Sequence, residues 1–206
     1  MKFIKSFLAG VFALSALSAN AAFINFDNYT VQKFHNQGAD GTASTGMFGS
    51  ELGLNGNTWV YINDSFNIDA SSVLYFSFEA SGTEAEWYGI GFDNDNKVTA
   101  SSLFQFGGTD TTGANQLTPY TFGSGIATYA VNVGDFLSGA FSQLVFVLDA
   151  DNITGTSSSF FDVELCSAND FCATTAQGNN VAVNAPSSAG VLLALSLGLL
   201  IVCRKK

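Results

Sequence analysis

In a ten-residue stretch, residues 72–81, every second position from Leu74 to Ala80 is apolar, and the positions between them include polar side chains. The apolar positions are Leu74, Phe76, Phe78 and Ala80, and the positions between them are Val73, Tyr75, Ser77 and Glu79. Because successive side chains of a strand point to opposite faces, the pattern predicts a β-strand with one buried face and one wet face.

A second stretch, residues 144–148, is apolar on both faces, which is typical of a central strand in a sandwich. Other short β-rich runs lie between Gly, Asn and Asp turns, at residues 23–26, 29–31, 58–62, 86–92, 102–106, 126–133 and 160–165. Residues 35–57 are rich in Gly, Asn, Ser and Thr, and they predict long loops. The whole pattern predicts an all-β fold over residues 22–173, an antiparallel β-sandwich that is jelly-roll-like.

Both ends of the chain carry export features. Lys2 and Lys5, an apolar run at 7–17 and the small-residue site Ala19-Asn20-Ala21 predict a signal peptide over residues 1–21. Residues 174–186 are small and polar, and they predict a flexible stalk. Residues 187–206 predict a C-terminal transmembrane segment, because an apolar run ends in three basic residues. A buried core helix is the alternative for this segment.

The C-terminal order of a proline motif, an apolar segment and a basic cluster resembles the PEP-CTERM sorting signals of Gram-negative bacteria. Asn184, Ala185 and Pro186 occupy the place of the family's Pro-Glu-Pro motif, of which only the last proline is kept. The resemblance covers about the last twenty residues. It implies an exosortase-type processing protease as a partner. It also implies export through the inner membrane to the cell surface, outer membrane or extracellular matrix, with a transient or retained anchor.

The exported part is strongly acidic. It contains Lys33 and Lys97 as its basic residues and all 17 Asp and Glu residues of the chain, a formal charge of −15. Such a surface repels phosphate backbones, which argues against a nucleic-acid partner. It also repels anionic lipids and anionic glycans unless cations bridge them, and it otherwise serves solubility.

Cys166 and Cys172 follow the last predicted strand closely. In an exported protein, two neighbouring cysteines predict a disulfide. A metal site is the alternative for this pair.

Two acidic turns follow predicted strands. Asp93 and Asp95 alternate with asparagines after one strand, and Asp149 and Asp151 follow another. Alternating carboxylate and amide oxygens suit calcium, which takes six to eight oxygen ligands. If the two strands are neighbours, the turns could share one ion. The alternative is a pair of solvated turns stabilised by their own Asx side chains.

Four aromatic residues are candidate ligand-binding positions. Trp59 and Tyr61 share one face of a predicted strand, and Trp87 and Tyr88 begin another. Exposed aromatic rings of β-sandwich modules stack on sugar rings, whereas packing in the core is the alternative use of these residues.

A series of short motifs resembles the β-sandwich accessory modules of secreted polysaccharide-degrading enzymes. The motifs lie at residues 89–96, 107–109, 129–136, 139, 144–151 and 159–160. The resemblance implies a jelly-roll fold, contact with glycans and no catalytic residues.

The predicted function is therefore that of an exported, surface-sorted, non-enzymatic protein that binds or organises extracellular polysaccharide. No cofactor is implied with certainty, calcium being the candidate. One alternative is a structural matrix protein without a specific ligand. The other is a hydrolase, for which the sequence offers carboxylates at Glu79, Glu84, Glu86 and Asp93 but no common catalytic motif.

Overall fold

The computed structural model describes residues 23–37, 41–167 and 180–183, and within them the polypeptide forms twelve strands. In chain order they are β1 (Gln32–Lys33), β2 (Thr42–Gly46), β3 (Glu51–Asn55), β4 (Thr58–Ile68), β5 (Val73–Gly82), β6 (Trp87–Asp93), β7 (Leu103–Gly107), β8 (Asn115–Gln116), β9 (Ala127–Val131), β10 (Gly139–Asp149), β11 (Thr156–Cys166) and β12 (Asn180–Val183). Four single-turn 3₁₀ helices join them at Phe26–Asn28, Met47–Gly49, Ala100–Ser102 and Val133–Asp135.

The strands form two six-stranded sheets. Sheet A has the order β1-β4-β10-β6-β7-β8, and sheet B has the order β12-β9-β5-β11-β3-β2. Neighbouring strands are antiparallel except for the pairs β7–β8 and β9–β12, which are parallel. The described part of the chain is therefore an all-β, two-sheet structure, as the alternating sequence patterns predict.

The two sheets pack face to face through a core rich in phenylalanine. Ring pairs cross between the sheets, including Phe146 with Phe160 at 5.0 Å and Phe76 with Phe106 at 5.2 Å between ring centroids. Aromatic pairs at such separations add stabilisation beyond the burial of their surface. The phenylalanines of the chain thus provide the contact that joins the two layers.

Strand β5 confirms the period-two prediction. Leu74, Phe76, Phe78 and Ala80 are buried between the sheets, and the residues between them are partly exposed. Strand β10 confirms the prediction of a central strand, since it lies between β4 and β6 in sheet A. Its alternate residues Val145 and Val147 face away from sheet B and are also fully buried.

Residues 35–57 differ from the prediction of long loops, because they contain β2 and β3. Strand β2 pairs with β3 along Thr42 to Gly46 at the edge of sheet B. Its sequence is Thr-Ala-Ser-Thr-Gly, which has little apolar alternation because an edge strand buries little side-chain surface. Backbone pairing, which the sequence pattern does not show, holds this strand in the sheet.

The predicted termini lie mostly outside the described residues. This applies to the signal peptide, to the sorting motif Asn184-Ala185-Pro186 and to the C-terminal membrane segment. Strand β12 falls within the segment predicted as a stalk, so these four residues belong to sheet B. No helix in the described part of the chain is long and apolar enough to cross a membrane.

Cys166 ends β11 and is buried. It is in the disulfide-bonded form. Its predicted partner Cys172 lies outside the described residues, so the pairing of Cys166 with Cys172 stays a prediction.

Candidate binding site

The face of sheet A that points away from sheet B, called here the outer face, carries the candidate site. Neighbouring strands place large and small residues in the same rows across this face. Val147 of β10 pairs with Trp59 on one side and with Gly89 on the other, and Val145 pairs with Tyr61 and Gly91 in the same way. The two glycines form a furrow of bare backbone on β6, which the two valines of β10 separate from the aromatic residues of β4.

The indole of Trp87 lies across this furrow. A Cβ atom placed on Gly89 would be 2.7 Å from Trp87 Nε1, which is too close for any side chain. A Cβ on Gly91 would lie 2.4 Å from the carbonyl oxygen of Ser102 in the chain leading into β7. Glycine is thus required at both positions for β7 and the indole to approach β6 closely.

The aromatic residues of the outer face pack on one another. Trp59 and Trp87 meet edge to face with ring centroids 4.7 Å apart, and Phe34 is stacked parallel to Trp59 at 6.3 Å. Trp59, Trp87 and Tyr61 are 3%, 6% and 8% exposed. The structure therefore brings together three of the four predicted aromatic residues, in a closed cluster rather than on an open platform.

Tyr88, the fourth predicted aromatic residue, lies on the opposite face of β6. It is fully buried between the sheets, and its hydroxyl oxygen accepts a hydrogen bond of 2.9 Å from the backbone N–H of Ala85. Burial raises the pKa of Tyr88 to about 12. The prediction that Tyr88 stacks on a ligand is wrong, because adjacent residues of a strand cannot share one face.

Two polar atoms of the outer face have no hydrogen-bond partner within the described part of the protein. They are the indole nitrogen Nε1 of Trp87, a donor, and Oε1 of Gln143, an acceptor. Both side chains are more than nine-tenths buried. An unpaired buried donor or acceptor costs about 1–3 kcal/mol. This face therefore offers one donor and one acceptor that the protein does not use itself.

Gln105, which the sequence did not indicate, fixes the loop at the edge of the face. Its Nε2 donates to the carbonyl oxygen of Asp110 at 2.6 Å, and its Oε1 accepts from the backbone N–H of Thr112 at 3.0 Å and from Nε2 of Gln116 at 2.9 Å. One buried carboxamide thus holds the segment between β7 and β8 against sheet A. A glutamine between two phenylalanines of a predicted strand is the only sequence signal for this role.

A group of carboxylates lies at one end of the outer face. Oxygen atoms of Glu86, Asp149 and Asp151 all lie within 4.8 Å of one another. Trp59 Nε1 donates to Asp149 Oδ1 at 3.0 Å, and the backbone N–H of Asp151 donates to Glu86 Oε2 at 2.6 Å. Asn57 Nδ2 donates to Asp151 Oδ1 at 2.5 Å. These three carboxylates could hold a hard cation or meet the hydroxyl groups of a ligand.

The two predicted acidic turns do not lie together. Strands β6 and β10 are neighbours, but they are antiparallel, and Asp93 pairs with Gln143 while Asp149 pairs with Trp87. The two turns are therefore at opposite ends of the strands, about 20 Å apart at ~3.4 Å per residue. The prediction that they share one ion is wrong for this geometric reason.

The turn after β6 is stabilised by its own side chains. Asp93 Oδ2 accepts hydrogen bonds from the backbone N–H groups of Asp95 and Asn96, at 2.9 and 2.6 Å. Asp95 forms an exposed ion pair of 2.8 Å with Lys97. This arrangement is the Asx-stabilised turn given as the alternative to calcium. Calcium binding at either turn stays a prediction, and at the Asp149 turn Glu86 adds a third carboxylate.

The pKa of Asp149 is raised, first by burial and then by the charges of Asp151, Glu86 and Asp110. A carboxyl group whose pKa is higher in the folded state costs stability when it ionises, and this cost disappears as the pH falls below its unfolded pKa. We expect Asp149→Asn to raise the Tm by about 2 °C at neutral pH. The gain should shrink toward zero near pH 4. Thermal unfolding followed by circular dichroism between pH 4 and pH 8 tests this.

Asp135→Asn is the matched control, because Asp135 is an exposed carboxylate outside the cluster. Thermal unfolding measured with calcium chloride, and again with a chelator, tests whether calcium binds the cluster. If calcium binds the cluster, the ion stabilises the wild type more than Asp149→Asn. A Tm of Asp149→Asn below that of the wild type at neutral pH, without calcium, contradicts the expected cost of the charge.

No family model matches the chain, and no curated protein matches it. Several solved structures are similar in fold. They include the carbohydrate recognition domain of Emp47p, with a TM-score of 0.43 and 12% identity, covering 74% of this chain and 96% of that one. They also include the family 11 carbohydrate-binding module of the cellulosomal cellulase Lic26A-Cel5E of Clostridium thermocellum (TM-score 0.40, 9% identity, 73% and 96% covered). A third is a family 29 carbohydrate-binding module (TM-score 0.38, 16% identity, 68% and 88% covered). Similarity at this level concerns the architecture alone.

Proposed function

We propose that this protein is an exported, non-enzymatic β-sandwich protein that binds or organises extracellular polysaccharide through the outer face of sheet A. The signal peptide and the C-terminal sorting segment predicted from the sequence would bring it to the cell surface, with an exosortase-type protease as its processing partner. Sequencing the N-terminus of the protein recovered from the cell surface tests the export step.

The observation that carries the proposal is the presence of two unpartnered polar atoms on the outer face, Trp87 Nε1 beside the furrow and Gln143 Oε1 toward the other end of β10. Trp87 Nε1 can donate a hydrogen bond to one hydroxyl group of a polysaccharide, and Gln143 Oε1 can accept one from a hydroxyl group of another sugar unit. The aromatic rings of Trp59 and Trp87 supply the apolar surface that the C–H groups of a sugar ring contact. Sugar-binding sites combine an apolar surface with a few placed polar groups in this way.

Access to the furrow requires a local movement. Phe34 is stacked on Trp59, and Gln105 holds the loop between β7 and β8 at the edge of the face. A ligand therefore reaches the rings of Trp59 and Trp87 only when the segment that carries Phe34 or this loop moves aside. The free energy needed for this movement is subtracted from the binding free energy, so the observed affinity is lower than that of an open site.

Trp87→Phe separates binding from folding. The change keeps a ring at this position and removes the unpaired N–H group, so we expect the Tm to stay within about 2 °C of the wild type or to rise. The affinity for polysaccharide should fall about tenfold, because one hydrogen bond to the ligand is lost. Calorimetric titration of the purified protein with neutral and acidic polysaccharides measures the affinity.

Tyr75→Phe is the control, since Tyr75 loses a hydroxyl group on the face of sheet B that points away from the core. It should bind like the wild type. Flat titrations of the wild type across all polysaccharides would overturn the proposed function and leave the structural matrix protein as the better description.

A glycoside hydrolase is the second candidate, and the carboxylate cluster is the observation that favours it. Retaining glycosidases use two carboxyl groups about 5–5.5 Å apart, one of them with a raised pKa. Asp149 has a raised pKa and lies beside Glu86 and Trp59. Release of reducing ends from a polysaccharide by the wild type, and its loss in Asp149→Asn, would establish this function in place of simple binding.

A further inference from the structure

The turn between β2 and β3 exposes two apolar side chains on a strained backbone. Phe48 is 97% exposed and Met47 is 64% exposed. Met47, Phe48 and Gly49 all have positive φ angles, of 50°, 57° and 87°. A residue other than glycine in this region costs of order 1 kcal/mol and persists only where its surroundings enforce it.

The surroundings of this turn do enforce its conformation. A Cβ atom on Gly49 would lie 1.9 Å from Asn25 Oδ1, so the backbone at Gly49 fits closely against Asn25. Thr45 Oγ1 donates to Asp27 Oδ1 at 2.6 Å, and the backbone N–H of Asp162 donates to the carbonyl oxygen of Ser50 at 3.0 Å. The turn is thus held from both sides, while the side chain of Phe48 gains almost no burial within the protein.

Phe48 borders a shallow groove. Phe23, Ile24, Asn25 and Ser50 line this groove together with Phe48. Asn25 Oδ1 accepts from the backbone N–H of Asp27, and the Nδ2 of Asn25 has no partner within the described residues. The groove therefore presents an exposed aromatic ring beside an amide group that can donate a hydrogen bond.

The charges around the turn indicate which class of ligand is compatible with the groove. All five residues that line the groove are uncharged, and the nearest carboxylates in the chain, those of Asp27 and Glu51, flank it in sequence. Negative charge without a basic residue opposes an anionic bilayer or an anionic polymer. It equally opposes a second copy of the same acidic surface. A neutral ligand with an apolar ring face and hydroxyl groups fits the groove.

We propose that Phe48 is a second polysaccharide contact, on which a neutral sugar ring stacks while Asn25 Nδ2 donates to one of its hydroxyl groups. This inference rests on the proposed function. Phe48 lies at the edge of sheet B, whereas the furrow lies on sheet A, so the two contacts serve different polysaccharide chains or distant parts of one chain. One molecule with two such contacts cross-links polysaccharide, which binding by the furrow alone does not do.

The test compares Phe48→Ala, Phe48→Tyr and Phe48→Gly with the wild type, using hydroxyethylcellulose, galactomannan and dextran as probes. Calorimetry measures the affinity and stoichiometry, and light scattering measures cross-linking. We expect Phe48→Ala to lose one of two sites or to bind about tenfold more weakly, and to lose the scattering increase. Phe48→Tyr should keep both. Phe48→Gly should bind like Phe48→Ala but show a Tm about 2–4 °C higher, because it relieves the backbone strain.

Ile126→Ala is the matched control, because Ile126 is an exposed apolar residue elsewhere on the surface. If the wild type binds a polysaccharide and Phe48→Ala binds it with the same affinity, stoichiometry and scattering, the inference is overturned and the proposed function stands. If the wild type binds none of the probes, both are overturned. A defect of Phe48→Ala confined to self-association, or to binding of phosphatidylcholine vesicles, also overturns the inference.

Discussion

Phe78→Ala is expected to lower the free energy of unfolding by about 3–5 kcal/mol. Phe78 is completely buried between the sheets. Its ring centroid lies 4.8 Å from that of Phe106, 5.0 Å from Tyr120 and 5.1 Å from Phe160. Alanine would remove all of these contacts at once and leave a cavity that neighbouring rings cannot fill without leaving their own positions. Urea unfolding followed by tryptophan fluorescence measures the loss.

The neighbours of Phe78 make collapse of this cavity costly. Two hydrogen bonds fix the hydroxyl group of Tyr120. It accepts one from the backbone N–H of Ala80 at 3.2 Å and donates one to the carbonyl oxygen of Gly125 at 2.9 Å. Phe78→Leu refills part of the space and should cost less than about 1.5 kcal/mol. Phe48→Ala is the same chemical change at an exposed position and should cost less than about 0.5 kcal/mol. Equal losses at Phe78 and Phe48 would contradict the placement of Phe78.

The sequence predicts the strands that have an apolar face. Strand β5 shows a clear period of two because one of its faces is buried, and β10 is apolar on both faces because both are covered. Strand β3 also has an apolar face, since Leu52 and Leu54 are buried, but the interpretation of residues 35–57 as loops overlooked these two positions. Strand β2 has no such face. An edge strand such as β2 keeps its place through backbone hydrogen bonds to β3, and its small polar side chains resemble those of a loop.

The composition of the candidate site is predictable in part, but its geometry is not. The sequence predicts Trp59, Tyr61, Trp87 and Tyr88 as candidate positions. Strand alternation alone shows that Tyr88 must face away from Trp87. The carboxylate cluster needed the strand register. Asp93 and Asp149 each follow a strand, and antiparallel neighbours place such residues at opposite ends of the sheet. The role of Gln105 depends on the path of a loop, which local sequence does not specify.

Trp59→Ala is expected to have the largest effect at the site, a loss of about 3–5 kcal/mol in the free energy of unfolding together with polysaccharide binding. Trp59 is nearly buried, packs edge to face on Trp87 and donates to Asp149 Oδ1. Its removal leaves a cavity on the outer face and takes the only indole donor from Asp149. Since that hydrogen bond lowers the pKa of Asp149 against the effect of burial, the pKa of Asp149 should rise further in the variant.

Trp59→Phe and Trp87→Phe form a matched pair that distinguishes a satisfied indole from an unsatisfied one. Both changes replace an indole with a phenyl ring on the same face, and the two rings contact each other. The N–H of Trp59 has a partner, Asp149, whereas that of Trp87 has none within the described residues. Trp59→Phe should cost about 1–2 kcal/mol more than Trp87→Phe, because only Trp59→Phe leaves a partly buried acceptor, Asp149 Oδ1, without its donor. Urea unfolding of the two variants in parallel measures this difference, and equal costs would contradict the assignment of Trp87 Nε1 as the donor that is kept for a ligand.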